Sequence, residues 1–433
     1  MAQKRIKRVI IAGAGFSAPA KLPIQNKIID RMTEVPEIDF LTGKIPEESL
    51  AFLDAYITVG LFLLDNYATN SYSEFHNKYL KLVDEDCAYK TLHHMPKEDL
   101  EHVFTANDAH NVHAAFTDIN SYKKHLNNYY SEVYSIREKV RSAIKEESIN
   151  VNLEDIFTAF DKSVVSRENL HGYTYAQMDK IRYSIMRLFI YYFSKSVSDH
   201  DFDHTDYQAF FSYLRKHRTA EPATVITTNW DTLIEGYCKK NKLSYNYGFT
   251  TPYTSDLIGQ TEANHDLLLL KIHGSANWLR CLNCGAISVY EGNKAASSLF
   301  DDDSTERCAV CEKEKTMYGA SMQPELITPT MMKSLSSQLY TNLWASAAQE
   351  LRTATHLIFV GYSLPIADFE FRYMLQKNVQ SSAQIDVILS PSSNPENASE
   401  STRWLLPDKR YSDIFPKNKI NFFYDGFGPY FRK

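Results

Sequence analysis

Three polar residues of complementary reactivity, Asn229, Asp231 and His273, stand just after two short apolar runs. A carboxamide can donate to one group and accept from another, so Asn229 is suited to placing a small nucleophile. An imidazole with an ordinary pKa near ~6.5 can take up that nucleophile's proton close to neutral pH. Asp231 adds a carboxylate two positions from the amide. A second set of reactive groups is Cys281-x-x-Cys284 and Cys308-x-x-Cys311, separated by 23 residues. Four thiolates suit tetrahedral zinc, and a shell filled by sulfur leaves no position for water or substrate, so this metal would be structural. Gly285 permits the tight knuckle after Cys284.

The elements that must position these groups are strands. The apolar, β-branched runs 223–228 and 267–272 have the length and composition of buried parallel strands, and each delivers its polar residues to a carboxyl end. A third run, 9–12, ends in Gly13-Ala14-Gly15-Phe16-Ser17, and a fourth, 357–360, ends in Gly361-Tyr362-Ser363. Open α/β sheets bind ligands at such ends. Further strands are predicted over 385–389 and 420–424. The predicted fold is α/β: a Rossmann-like parallel sheet with a four-cysteine zinc module and a large all-helical insertion. The catalytic, nucleotide-binding unit would comprise 1–44 and 216–433, with the zinc ribbon at 279–318. The insertion, 45–215, shows helical spacing of apolar residues and predicts six to eight helices.

Local signals refine this. Pro19 and Pro23 predict a loop from Ser17 to Pro23 before a helix over 24–32. Thr232 and Glu235 have capping-box spacing, which gives the Asp231 region a competing role in starting a helix. The polar stretch from Ser392 to Pro416 reads as a surface loop. His102, His110 and His113 have no cysteine or acidic cluster converging on them and read as ordinary histidines, and Cys87 and Cys238 as buried or inert thiols.

With 433 residues, 44% of them hydrophobic, the chain can bury a sizeable core. Its net charge of -6, from 47 Lys and Arg against 53 Asp and Glu, argues against direct nucleic-acid binding. The short basic run Lys4-Arg5-Ile6-Lys7-Arg8 reads as a solvated lead-in to the first strand. No secretory signal is expected, because a strand begins within the first nine residues. The longest apolar helix candidate, 55–64 between Asp54 and Asp65, falls short of the ~20 residues a membrane span needs. A cytoplasmic protein with reduced cysteines and no membrane contact is expected.

The glycine loop, Thr228-Asn229-Trp230-Asp231, His273-Gly274, the two cysteine knuckles and Gly361-Tyr362-Ser363, in that order, resemble the sirtuin family. The chain looks especially like the sirtuin-like NAD-hydrolysing proteins of bacterial anti-phage defence. The resemblance spans about half the chain, 8–35 and 223–395. It implies that Gly13, Ala14, Gly15 and Ser17 face the phosphates and ribose of NAD, chiefly through backbone N–H groups, with Thr228 beside them and Gly361 and Ser363 completing the cradle. Asn229 would hold the nicotinamide ribose and an attacking water, Asp231 would meet the nicotinamide amide, His273 would be the catalytic histidine, and Asn394 would border the adenine.

Two departures bear on activity. Where the family's deacylases carry an arginine that orders the cofactor loop, this chain reads Ala20-Lys21-Leu22-Pro23-Ile24-Gln25. The segment 318–324 after the zinc module has no recognisable peptide-binding signature. Both features favour water as the acceptor and hence NAD hydrolysis to nicotinamide and ADP-ribose. The alternatives are an NAD-dependent protein deacylase and a sensor of NAD or ADP-ribose without turnover. The glycosidic bond breaks readily because nicotinamide leaves as a neutral pyridine. The protein must add a fit to the oxocarbenium-like transition state and a placed acceptor. As a defence effector the enzyme would be silent until triggered, with the helical insertion serving homo-oligomerisation or docking of a partner such as an ATPase or a phage protein.

Overall fold

The structure is a computed structural model that describes residues 6–22, 50–84, 119–149, 151–217, 222–249, 265–292, 294–300, 308, 310–311, 322–333, 335, 337–397 and 406–433. Its strands, in chain order, are β1 Arg8–Ala12, β2 Ala223–Thr227, β3 Tyr245–Asn246, β4 Leu267–Lys271, β5 Gly274–Cys281, β6 Ile287–Val289, β7 Met322–Leu326, β8 His356–Val360, β9 Gln384–Ile388 and β10 Lys419–Phe423. Seven form one sheet in the order β10-β9-β8-β1-β2-β4-β3. All its pairs are parallel. Val9, Ile10, Ile11 and Ala12 are buried, as the near-continuous apolar runs of a sheet covered on both faces require. The chain leaves β1 on one side towards β2 and β4, then crosses back to β8 on the other. That reversal opens a crevice at the carboxyl ends of β1 and β8.

The helices are α1 Ala14–Ser17, α2 Leu50–Tyr67, α3 Ser73–Asp84, α4 Ile119–Glu146, α5 Leu153–Ser166, α6 Tyr175–Ser198, α7 Thr205–Lys216, α8 Leu233–Lys240, α9 Lys294–Phe300, α10 Gln338–Thr353, α11 Phe369–Asn378, α12 Pro407–Ile414 and α13 Phe427–Arg432. Between β1 and β2 the described residues are helical from α2 to α7. α2 packs on α4 and α6, and α5 packs on α6. α6 starts at a capping box made by Thr174 and Gln177, and its far side packs on β5 and β7 of a second, antiparallel sheet ordered β6-β5-β7.

Several local expectations are corrected. α2 is 18 residues long and runs through Asp54 and Asp65. Both carboxylates sit within reach of neighbours, Asp54 accepting from Tyr79 at 2.5 Å and Asp65 from Tyr173 at 2.6 Å, so neither ends the helix. With a mean hydropathy of 1.3 it is long and apolar enough to cross a membrane, but 61% of that stretch is buried inside the protein. The segment at Ser17 is not an open loop: Ala14–Ser17 forms one helical turn and Ala18–Ala20 a 3-10 turn that accommodates Pro19 at its start. The Thr232 side chain makes no cap bond; at this helix start Asp231 Oδ1 accepts the Leu233 N–H at 3.1 Å. The stretch after Ser392 contains α12. The helix over 24–32, the three histidines at 102, 110 and 113, Cys87, and most of 301–321 lie outside the described residues.

Candidate active site

Glycine is required where the loops after β1 and β8 touch. Gly13 N–H donates to Val360 O at 3.0 Å and Gly15 N–H to Gly361 O at 2.9 Å. A Cβ on Gly15 would sit 2.7 Å from Gly361 Cα, and one on Gly361 would sit 2.3 Å from Gly15 C. Gly361 also has φ +60°, a conformation that glycine takes at little cost. These amides therefore bind the loops to each other, which corrects the expectation that the N–H groups of Gly13 and Gly15 are offered to a ligand. Ala14, Gly15, Gly361 and Ser363 line the cavity walls, and Gly13 is on the wall of neither cavity.

The end of β2 is tied to this loop by side chains. Asn229 Nδ2 donates to Gly13 O at 2.9 Å and to Ser17 Oγ at 3.0 Å, while Ser17 Oγ–H donates to Asp231 Oδ2 at 2.7 Å. Asp231 is 6% exposed, and burial raises its pKa above the ordinary carboxylate range, against the pull of Lys271 and the Ser17 bond. Lys271, itself buried, ties the Trp230–Asp231 backbone down through the Asp231 carbonyl and pairs with Glu235 at 2.8 Å. Asp231 thus serves the helix start and the Ser17 link while also reaching the cleft wall.

His273 follows β4. Its carbonyl accepts from Trp230 Nε1 at 3.1 Å, the preceding carbonyl, of Ile272, accepts from Trp344 Nε1 at 2.9 Å, and its ring stacks on Trp344 with centroids 6.4 Å apart. The side chain is 8% exposed, and its Nε2 makes no hydrogen bond. The nearest carboxylate oxygen to Nε2 is Asp368 Oδ1, at 3.8 Å. Burial lowers the imidazole's pKa; Asp368 opposes and Lys333 reinforces that effect. A neutral imidazole in this setting is a proton acceptor.

Asn229, Asp231 and His273 line one cavity of about 190 Å³, together with Ala14, Ser17, Thr228, Gly361 and Ser363. A second cavity of about 510 Å³ lies over the ends of β8 and β9 and shares Ala14, Gly361 and Ser363 with the first. An elongated ligand can therefore span both. Asn394 is not on the wall of either: its Oδ1 accepts from Glu396 N–H at 3.1 Å, and Ser390, Pro391 and Ser393 take the wall position. Among the further residues that reach the first cavity are Glu154 and Phe193 from the helices α5 and α6, and Lys333 and Asp368 from segments after β7 and β8. Of these, Lys333 and Asp368 are charged residues in segments that follow strands, and no spacing in the sequence links them to the cleft.

The sulfur atoms of Cys281, Cys284, Cys308 and Cys311 lie within 4.8 Å of one another. Cys281 ends β5 and Cys284 closes the knuckle at Gly285, whose φ is +73°. Four convergent sulfurs are the donor set of a structural zinc, and among the described residues no histidine or carboxylate joins them.

Residues 223–412 match the SIR2-like domain family, and no curated protein sequence matches the chain. Among solved structures, one described under the structural basis of sirtuin substrate affinity is similar over 98% of this chain and 91% of its own, at 12% identity and TM-score 0.34. A Sir2–p53 peptide–NAD+ complex is similar over 98% and 90%, at 11% identity and TM-score 0.33. An ADP-ribose complex of a serine-to-alanine mutant of a Sir2 homologue is similar over 59% and 74%, at 15% identity and TM-score 0.31. Five of the seven strands of the parallel sheet, β2, β3, β4, β8 and β9, with Asn229, His273 and Gly361 just past strand ends, lie in the stretch that matches the SIR2-like domain family.

Proposed function

We propose that the protein is an NAD+ glycohydrolase that splits the nicotinamide–ribose bond to give nicotinamide and ADP-ribose. The observation that supports this most is that Asn229 and His273, from neighbouring strands, line one small cavity that shares Ala14, Gly361 and Ser363 with a larger one. The larger cavity would take the ADP part of the dinucleotide and the smaller the nicotinamide riboside. A carboxamide oriented by Gly13 and Ser17 keeps its oxygen available to accept from a water. His273, held neutral by burial, accepts the proton of that water as its oxygen bonds to the anomeric carbon; the electron pair of the broken bond leaves with nicotinamide. The four cysteines would hold a structural zinc remote from this step.

Within this reading the enzyme acts in the cytoplasm as an anti-phage effector that depletes NAD. The insertion, 45–215, serves assembly into homo-oligomers or docking of an activating partner such as an ATPase or a phage protein. The test is to incubate the purified chain with NAD, with and without an acetylated peptide, and to quantify nicotinamide, ADP-ribose and acyl-ADP-ribose. Nicotinamide and ADP-ribose formed equally in both arms are expected. Release only with peptide would make the protein a deacylase, and tight NAD binding with no product would make it a sensor.

A further inference from the structure

Attack by water on the anomeric carbon uses no lysine, yet one lies buried beside the catalytic imidazole. The Lys333 side chain is 1% exposed. Its ammonium is held by the carbonyl oxygens of Thr330, at 3.2 Å, and Ala367, and it lies 3.2 Å from Asp368 Oδ1. The other oxygen of Asp368 accepts from Tyr362 OH at 2.9 Å. The carboxylate is thereby fixed with Oδ1 facing both Lys333 and His273. Removing two such ions from water is costly, so hydrophobic residues would fill the same space at less cost.

We propose that Asp368 is a positioning residue for His273, receiving the Nε2–H of the imidazole, and that Lys333 balances its charge so that the ring stays a neutral base. The inference rests on the NAD-cleaving reading of the same cleft. A hydrogen bond from Nε2 leaves the lone pair on Nδ1, which selects one tautomer, as the third member of any base–orienter arrangement does. The separation of 3.8 Å is too long for that bond. The bond would form by tightening in the reacting complex, as such catalytic hydrogen bonds commonly do.

The charges around the ring set the direction in which each substitution moves its titration. Asp368 faces it from the β8–α11 connection and Lys333 from the segment after β7. Glu370 Oε2 lies 3.9 Å behind Lys333. Asp231 and Glu154 line the same cleft, and Trp344 covers one ring face. With Lys333 removed, the carboxylate acts unopposed and favours imidazolium. With Asp368 neutralised, the ammonium acts unopposed and disfavours it. The two substitutions therefore move His273 in opposite directions, which loss of packing alone does not do.

The test compares wild type, Asp368→Asn, Asp368→Glu and Lys333→Gln by the pH profile of nicotinamide release and by NMR titration of the His273 imidazole, with melting temperature as the check on folding. Asp368→Asn is expected to lower kcat about a hundredfold with little change in KM and to move the imidazole midpoint down. Asp368→Glu should recover part of the rate, and Lys333→Gln should move the midpoint up. A folded Asp368→Asn protein with the wild-type kcat and midpoint, or midpoints shifted the same way by both substitutions, overturns the proposal. The NMR titration needs no turnover. A wild type that does not cleave NAD removes the functional reading, and the imidazole midpoints still decide the positioning pair.

Discussion

Asn229 Nδ2 lies 2.9 Å from the carbonyl oxygen of Gly13, so the side chain that would place the nucleophile is also the fastener between the ends of β1 and β2. This gives two substitutions different effects on stability. Asn229→Ala leaves the Gly13 carbonyl without its donor and should cost about 1–2 kcal/mol. Asn229→Asp sets one acceptor against another beside Asp231 and should cost more. Melting temperatures check the order, and an aspartate variant as stable as wild type would contradict the bond.

The pH dependence of stability derives from His273. Burial holds its pKa below the ordinary imidazole value, so the unfolded chain takes up a proton first as pH falls. Stability is then lost as pH drops from about 6.5 towards the folded midpoint. His273→Gln lacks this loss. Urea unfolding at pH 7 and pH 5 should show the wild type losing ground to the variant at the lower pH, and an unchanged gap would mean that the ring is not held neutral. The acidic limb of NAD cleavage should likewise lie below about 6.5.

Gly361→Ala tests the loop contact. Its Cβ would meet the Gly15 backbone at 2.3 Å, and the backbone there has φ +60°, so the strain is of order 1–3 kcal/mol before any shift. Lower melting temperature and weaker ADP-ribose binding by calorimetry are expected together. Wild-type affinity in the variant would show that the loops need not touch for the ligand to bind.

The framework of this site is legible in sequence because its strands are buried on both faces and read as apolar runs. All six predicted strands of the large sheet are present. The antiparallel sheet is not legible because β5 buries Ser275 and Asn277 beside Trp278, and β7 carries Pro324 and Glu325, so neither shows strand periodicity. α2 reads too short in sequence because Asp54 and Asp65 look like boundaries when their partners, Tyr79 and Tyr173, are distant along the chain. Lys333 and Asp368 carry no joint signal: they become a pair only when β7 and β8 deliver their following segments to one cleft. The capping-box spacing at Thr232 misleads because the Thr232 side chain makes no cap bond, and the helix start is held by Asp231, which accepts the Leu233 N–H.

Zinc removal should act through folding. A strong chelator, or Cys308→Ser, is expected to release one zinc per chain and lower the melting temperature, since structural zinc contributes several kcal/mol or more to folding. Activity should fall only as far as the folded fraction does, followed by circular dichroism beside the assay. Rapid inactivation with an unchanged melting curve would place the metal in the chemistry.

The central claim is that Asn229 and His273 serve one step on one bond. The measurement is nicotinamide release from NAD by wild type, Asn229→Ala, His273→Ala and the double variant, each confirmed as folded. Each single loss should be about a hundredfold or more, and the double variant should be little slower than the worse single, as groups acting in one unit behave. Wild-type rates in either single variant, or losses that multiply in full, would contradict the account.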